Sequence, residues 1–283
     1  MLNAQETVLE IDFNALTHNF NYLKSKLQPN TKFLAVVKAF AYGSDSIEVA
    51  KHLQNLKVDY FAVAYAKEGI ALRDAGITTP ILVLHPQPIN FKALIEHCLE
   101  PSLYNFKVLN EFIRVAEAAS QNNYPVHIKF NTGLNRLGFL ESAIEAIATK
   151  LKATKAIIVK SIFSHLAASE DLNELEFTKQ QIETFNTIST TFETKIGYKP
   201  WLHLCNTSGV INYPEAHFNM IRCGIGLYGF GNSQKEDENL KPIASLKSVI
   251  SQIHSIEKNE SVGYNRAYTS VGFEKTATIP IGH

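Results

Sequence analysis

The sequence predicts an α/β fold, a (β/α)8 TIM-type barrel followed by the start of a second, all-β domain. Three observations carry this prediction. From Phe33 onward, short β-branched runs alternate with longer amphipathic segments, the pattern of repeated βα units. The runs are continuously apolar, as in Phe33-Leu-Ala-Val-Val and Ile81-Leu-Val-Leu, which suits parallel strands buried on both faces. After Gly229 the pattern stops, and strand-like runs recur without helices between them.

Taken in order, a helix comes first. Asp12 to Leu23 places Leu16, Phe20 and Leu23 at helical spacing, with Asp12 or Asn14 as its cap. The candidate strands then follow at 33–38, 60–65, 80–85, 100–104, 126–131, 158–165, 201–205 and 218–224, eight in all, the fourth being the weakest. Eight such units suggest a closed barrel. An open doubly wound sheet would carry a GxGxxG turn after its first strand, and VVKAFAYGS is not one. The polar stretch from Gly231 to Asn239 reads as a linker. Beyond it, Ala244–Ile256 and Thr276–His283 read as strands. Residues 1–232 are therefore assigned to the barrel and 240–283 to the β domain, which is expected to be incomplete because the sequence ends inside a strand-like run.

Composition narrows the function classes. The chain has 283 residues, 45% of them hydrophobic, enough for a large core. Lys plus Arg and Asp plus Glu each total 27, so there is no broad basic field for nucleic acid or anionic lipid, and small molecules or other subunits are the expected partners. Cys98, Cys205 and Cys223 are widely spaced without a CxxC pair, which argues against a disulfide framework or a zinc knuckle. His18, His52, His97 and His254 have no metal-ligand spacing, so no metal is expected. The N-terminus has no secretory pattern and no run is long enough for a membrane helix, so a reducing cytoplasmic setting is expected.

Chemistry in a barrel sits at the C-terminal ends of its strands. Lys38 follows five apolar residues at the end of the first strand; it is either a snorkelling lysine or one that forms a Schiff base. Arg222 ends the eighth strand and is followed by Gly224, Ile225 and Gly226. His203 and the polar run Asn206-Thr207-Ser208-Gly209 end the seventh. Barrels often bind phosphate with the loops after their last two strands, so glycines there, together with a lysine on the first strand, suggest pyridoxal phosphate.

These segments resemble the alanine racemase family. VVKAFAYGS is similar to its cofactor signature, with Lys38 as the lysine that carries pyridoxal phosphate and Tyr42 as the tyrosine that reaches the phosphate. KFNTGLNRLGF resembles the family's arginine loop, SHLAASED its histidine segment, HLCNTSG its phosphate loop and IRCGIGLYG its arginine-glycine strand. ESVGYNRAY resembles the β-domain motif, with Tyr264 in the catalytic place. There are departures: Phe40 replaces a polar residue, Ser44-Asp45 a common His-Gly, and His283 stands where an aromatic residue is usual.

The resemblance implies racemisation of L- and D-alanine by a two-base mechanism, supplying D-alanine for peptidoglycan. Lys38 would serve one face of the substrate and Tyr264 the other. A phenol is by itself a poor base at neutral pH, and the resemblance implies that His165, backed by Arg222, assists it. Arg222 would also donate to the pyridine nitrogen, and Tyr42, Asn206, Thr207, Gly224 and Ile225 would complete the cofactor site. Arg136 would bind substrate, with Lys129 orienting it; in several such racemases this lysine is carboxylated. Lys129 reads equally as a solvated strand-end charge, and His203 as a satisfied core histidine or a support behind the site. The resemblance also implies a homodimer with shared active sites. The rival readings are a non-catalytic pyridoxal-phosphate-binding barrel, a fold-related decarboxylase, an inactive truncated product, and a racemase for another amino acid such as serine.

Overall fold

The computed structural model describes residues 7–231 and 233–282. Asn232 of the expected linker and His283 lie outside the described residues. The chain divides into two compact units, Phe13–Pro242 and, together, Met1–Asp12 with Ile243–His283.

In the first unit, eight parallel strands among the described residues close a barrel in sequence order. Counting from a preceding strand β1 (Val8–Ile11), they are β2 (Lys32–Val36), β3 (Tyr60–Val63), β4 (Ile81–Val83), β5 (Glu100–Leu103), β6 (Tyr124–Lys129), β7 (Ile157–Phe163), β8 (Trp201–His203) and β9 (Met220–Cys223). β2 pairs with both β3 and β9, which closes the ring. Each of the eight barrel strands overlaps one expected from the sequence.

Helices on the outside bury the apolar stripes that their spacing dictates. The helix Phe13–Ser25 buries Leu16, Phe20 and Leu23, and the ring of Phe20 meets that of Phe33 on β2 edge-on. Inside the barrel the filling is unequal. Leu34, Val36, Tyr60, Ala62, Leu82 and Met220 form an apolar cluster, whereas His127, Ser161, His203 and Arg222 bring polar groups into the interior from β6 to β9. Buried polar groups are costly unless hydrogen-bonded, and these four are bonded to one another in sequence.

Two local features differ from the sequence expectation. The first strand ends at Val36, not at Lys38, because Ala39, Phe40, Ala41 and Tyr42 all take left-handed backbone angles (φ 51 to 55°) and turn the chain away from the sheet. Left-handed non-glycine residues cost roughly 1–2 kcal/mol each, so outside contacts must hold this turn. The stretch expected as a linker contains a short helix, Gln234–Asp237, capped by Ser233. Glu236 anchors it by accepting from Ser208 Oγ at 3.2 Å and Asn212 Nδ2 at 3.3 Å.

The second unit is all β. β1 pairs antiparallel with β10 (Ala244–Lys247), and β11 (Gln252–Ile256) with β14 (Glu274–Thr278). The short strands β12 (Ser261–Val262) and β13 (Tyr268–Thr269) form a third pair. The run expected as one strand over 244–256 is thus two. Val8–Ile11 belongs with this unit through its backbone pairing, where the sequence reading assigns all of 1–232 to the barrel. Among the described residues no helix is long and apolar enough to cross a membrane.

Candidate active site

The strand ends of the barrel surround a cavity of about 650 Å³. Lys38, Tyr42, Lys129, Arg136, His165, Asn206, Thr207, Arg222, Gly224 and Ile225 all line it, so residues from distant parts of the sequence converge there. His203 lies one layer deeper, fully buried beneath the lining. Tyr264 belongs to the other unit, in the 3-10 turn Tyr264–Arg266, with its side chain almost wholly exposed (99%).

The left-handed turn presents Lys38 and Tyr42 together. It is held at its start by Glu68, whose carboxylate accepts from the backbone N–H of Ala39 at 2.8 Å and of Ala64 at 2.6 Å. At its end, Tyr42 packs its ring on Tyr228, and the Tyr228 hydroxyl donates to the Val36 carbonyl at 2.9 Å. The Ser44-Asp45 departure has a local use, since Asp45 caps the next helix by accepting from Ile47 and Glu48 N–H. Phe40 is largely exposed.

Two strands round the barrel from this turn lies the loop after β8, where Asn206 Oδ1 caps a short helix by accepting from Gly209 N–H at 2.9 Å and also accepts from Ser169 Oγ at 2.8 Å. Thr207 Oγ1 accepts from Gly226 N–H at 3.2 Å, tying this loop to the one after β9. A Cβ on Gly224 would run into the Tyr42 hydroxyl, so a larger residue there would displace that phenol. A Cβ on Gly226 would sit 2.5 Å from Thr207 Cγ2. The two loops and the Tyr42 hydroxyl therefore approach one another closely around backbone that carries no side chain at Gly224 and Gly226.

Arg222 is the pivot of the site. Its Nη1 donates to His203 Nδ1 at 2.9 Å, and its Nη2 reaches the carbonyls of Ser164 (2.7 Å) and Leu204 (3.0 Å) and Nδ1 of His165 (3.1 Å). The guanidinium also lies over the ring of Phe163 at 5.3 Å. Burial pushes its pKa down to about 10, partly offset by Cys205 and Cys223, so it remains a cation at neutral pH. Burial and then Arg222 push His203 well below the usual histidine range, with a further contribution from His127. For His165 burial again dominates, followed by Arg222, Lys129, Arg136 and Lys38. Both rings are thus neutral at neutral pH. Burial, then Arg222, Arg136 and Lys38, bring the Lys129 amine down to about 8. Burial, then Cys223, raises Tyr42, so its phenol stays a hydrogen-bond donor.

Four cationic side chains, Lys38, Lys129, Arg136 and Arg222, line the cavity, and among the described residues no carboxylate does. The arrangement suits an anionic ligand, with glycine-lined backbone at one end and an amine on a braced turn beside it. Among the described residues no group of three or more His, Cys, Asp or Glu is placed to hold a metal ion.

The sequence reading missed several lining and supporting residues. His85, at the end of an expected strand, lines the cavity and stacks on Tyr104; its place at a strand end was a usable signal. Phe163, which stacks on His203 at 4.7 Å and underlies Arg222, offered no signal beyond an apolar strand residue. Glu68 lies on a helix and gave none.

Residues 11–231 match the family profile described as Alanine racemase, N-terminal domain, and residues 243–283 that described as Alanine racemase, C-terminal domain. The chain is 33% identical over 280 residues to a protein named alanine racemase from Methanococcus maripaludis, covering 97% of this chain and 74% of the relative. It is 34% identical over 284 residues to alanine racemase 2 of Oceanobacillus iheyensis, covering 99% and 71%. Among solved structures, alanine racemase of Clostridium difficile 630 superposes with a TM-score of 0.90 at 31% identity, over 99% of this chain and 74% of that one.

Proposed function

Starting from the premise that the chain belongs to the alanine racemase family, we propose that it racemises alanine with pyridoxal phosphate, using Lys38 and Tyr264 as the two acid/base groups. The observation that supports this best is the cavity with four cations and no carboxylate among its described lining residues, which suits both a phosphate dianion and a substrate carboxylate.

The residues present fit the cofactor. A phosphate group suits the end of the cavity lined by Gly224 and Ile225, beside Thr207, Asn206 and the Tyr42 side chain. Lys38 offers the amine that would hold the aldehyde carbon. When bound, the cofactor supplies an electron sink that makes the substrate Cα proton removable.

The chain's own groups do the rest. Lys38 Nζ takes or returns the proton on one face, and the Tyr264 hydroxyl does so on the other. Two copies of the chain share their sites in this reading, with Tyr264 of one copy serving the barrel of the other. His165, whose Nδ1 is engaged by Arg222, has Nε2 left to bond the phenol. Arg222 is donor-only and can hydrogen-bond a ring nitrogen without protonating it, which favours proton return to Cα over loss of the amino group. Arg136 binds the substrate carboxylate, and Lys129, neutral in part near pH 8, orients it. In a bacterial setting the D-alanine formed would feed peptidoglycan.

The test is a coupled assay for D-alanine from L-alanine, with and without added pyridoxal phosphate, and with L-serine as the competing substrate. Turnover of alanine that depends on the cofactor is expected. Cofactor binding without turnover would favour the non-catalytic barrel instead, and faster turnover of serine would reassign the substrate.

A further inference from the structure

Beneath the cavity, a line of polar side chains crosses the barrel interior from β9 back to β5. Arg222 Nη1 meets His203 Nδ1 at 2.9 Å, and His203 Nε2 meets Ser161 Oγ at 2.7 Å. Ser161 Oγ meets His127 Nδ1 at 2.5 Å, and His127 Nε2 meets Glu100 Oε2 at 2.7 Å. The Tyr60 hydroxyl closes the line by donating to the same carboxylate at 3.1 Å. His127, Ser161 and His203 are fully buried, and Glu100 nearly so. The register contributes directly: a bulge between Val126 and His127 shifts the pairing of β6 with β7, so that His127 stands opposite Ser161 and not Lys160.

The ends of this line fix its direction. A guanidinium can only donate and a carboxylate can only accept. His203 Nδ1 must therefore be bare, which places the ring's single hydrogen on Nε2, facing Ser161. Ser161 accepts there and has one hydrogen to give, to His127 Nδ1. That in turn puts the His127 hydrogen on Nε2, facing Glu100. With both rings neutral, reversing any member would set two donors or two acceptors face to face in a dry interior, where an unsatisfied polar group is costly.

We infer that Glu100 is a positioning residue for Arg222, acting through His127, Ser161 and His203, a single file of buried hydrogen bonds in which every donor points from the guanidinium towards the carboxylate. Glu100 does not line the cavity. Its acceptor-only character keeps the His127 hydrogen on Nε2 and its Nδ1 free to accept from Ser161, which turns the Ser161 oxygen towards His203 and so braces the ring that receives the guanidinium. The effect on catalysis rests on the role proposed for Arg222; the direction of the chain does not.

The test uses the full chain with 15N-labelled histidine, reading the ring nitrogens by long-range 1H–15N spectra. His127 and His203 are both expected as neutral rings with hydrogen on Nε2. Glu100→Gln offers an amide that can donate as well as accept, so part of the His127 population should move its hydrogen to Nδ1, while His203, still facing the donor-only Arg222, keeps its hydrogen on Nε2 and shifts through its altered contact with Ser161. An imidazolium at His127 in the unmodified chain, or an unchanged His127 tautomer in Glu100→Gln, overturns the inference. Because an amide in the barrel interior can cost the fold, Ser161→Ala and Ser161→Thr form a second arm. Alanine should cut the file and shift the ring signals of both histidines, whereas threonine, which keeps the hydroxyl, should leave them in place; unshifted signals in Ser161→Ala also overturn it. In racemase assays Glu100→Gln and Ser161→Ala should each lower kcat about 2- to 30-fold, the range for coupling through a network, with KM unchanged. The double variant should fall no further, because both cut one path, and additive losses count against the inference. Expected tautomers with no racemisation in any form would refute the proposed reaction and leave the file intact.

Discussion

Arg222 Nη2 stands 3.1 Å from Nδ1 of His165, and since a guanidinium can only donate, that nitrogen of His165 is an acceptor and the ring is neutral. The same reasoning applies to His203 through Nη1. Two histidines are thereby kept uncharged, chiefly by burial and then by one buried cation that they share.

Stability should consequently fall on mild acidification. In the unfolded chain both rings titrate near the ordinary value of about 6.5, whereas in the folded chain they stay neutral well below it. As pH falls from about 6.5, the unfolded state binds protons that the native state does not. Each ring then removes up to about 1.4 kcal/mol of stability per pH unit, until the native rings also titrate. Urea unfolding between about pH 7 and pH 5 should show this slope, and His165→Asn should flatten it by one ring's contribution. An unchanged slope would mean that His165 is already protonated in the native state.

Arg222→Lys should be far from conservative. Lysine keeps the charge but has neither the planar fork nor the reach to serve His203, His165 and the carbonyls of Ser164 and Leu204 together. Each buried acceptor left bare costs roughly 1–3 kcal/mol, so denaturant midpoints should drop markedly and racemisation with them. Retention of stability would show that water or a rearranged lysine satisfies these acceptors.

Lys38→Ala should abolish both racemisation and covalent retention of pyridoxal phosphate. The measurement is borohydride reduction followed by peptide mass analysis, which should find the reduced cofactor on Lys38 in the unmodified chain and nowhere in the variant. Cofactor trapped on Lys129 in the unmodified chain would point to the wrong amine, and this is the relevant control because Lys129 shares the cavity and its pKa lies near 8.

Much of the barrel is legible in the sequence because parallel strands buried on both faces are continuously apolar, and a charged residue ending such a run stands out; Lys38 and Arg222 are both visible in this way. What is not legible depends on long-range pairing or on backbone handedness. Val8–Ile11 has four residues and finds its partner at 244–247, so nothing local marks it as part of the second unit. The left-handed turn at 39–42 contains no glycine, the residue that normally announces such angles. Glu100 opens the weakest expected strand, and its inward placement follows from pairing with Leu82 on β4. His127 and Ser161 meet only because of a bulge that no local pattern signals.

Tyr264 carries the remaining prediction. Its side chain is exposed and bonds nothing that would be lost with its hydroxyl among the described interactions, so Tyr264→Phe should leave folding and cofactor binding intact. A general acid/base group typically contributes about 10²- to 10⁴-fold, and racemisation should fall by that order. The loss should be one-sided. Exchange of the Cα proton with deuterated solvent should survive from the one enantiomer whose proton faces Lys38 and disappear from the other, whose proton faces Tyr264. Proton NMR of each enantiomer incubated with the variant in deuterated water reads both at once. Equal loss from both enantiomers would make the tyrosine a structural element of the site, and no loss from either would remove it from the chemistry, leaving the second face to a group on the barrel itself, for which His165 Nε2 is the nearest in kind.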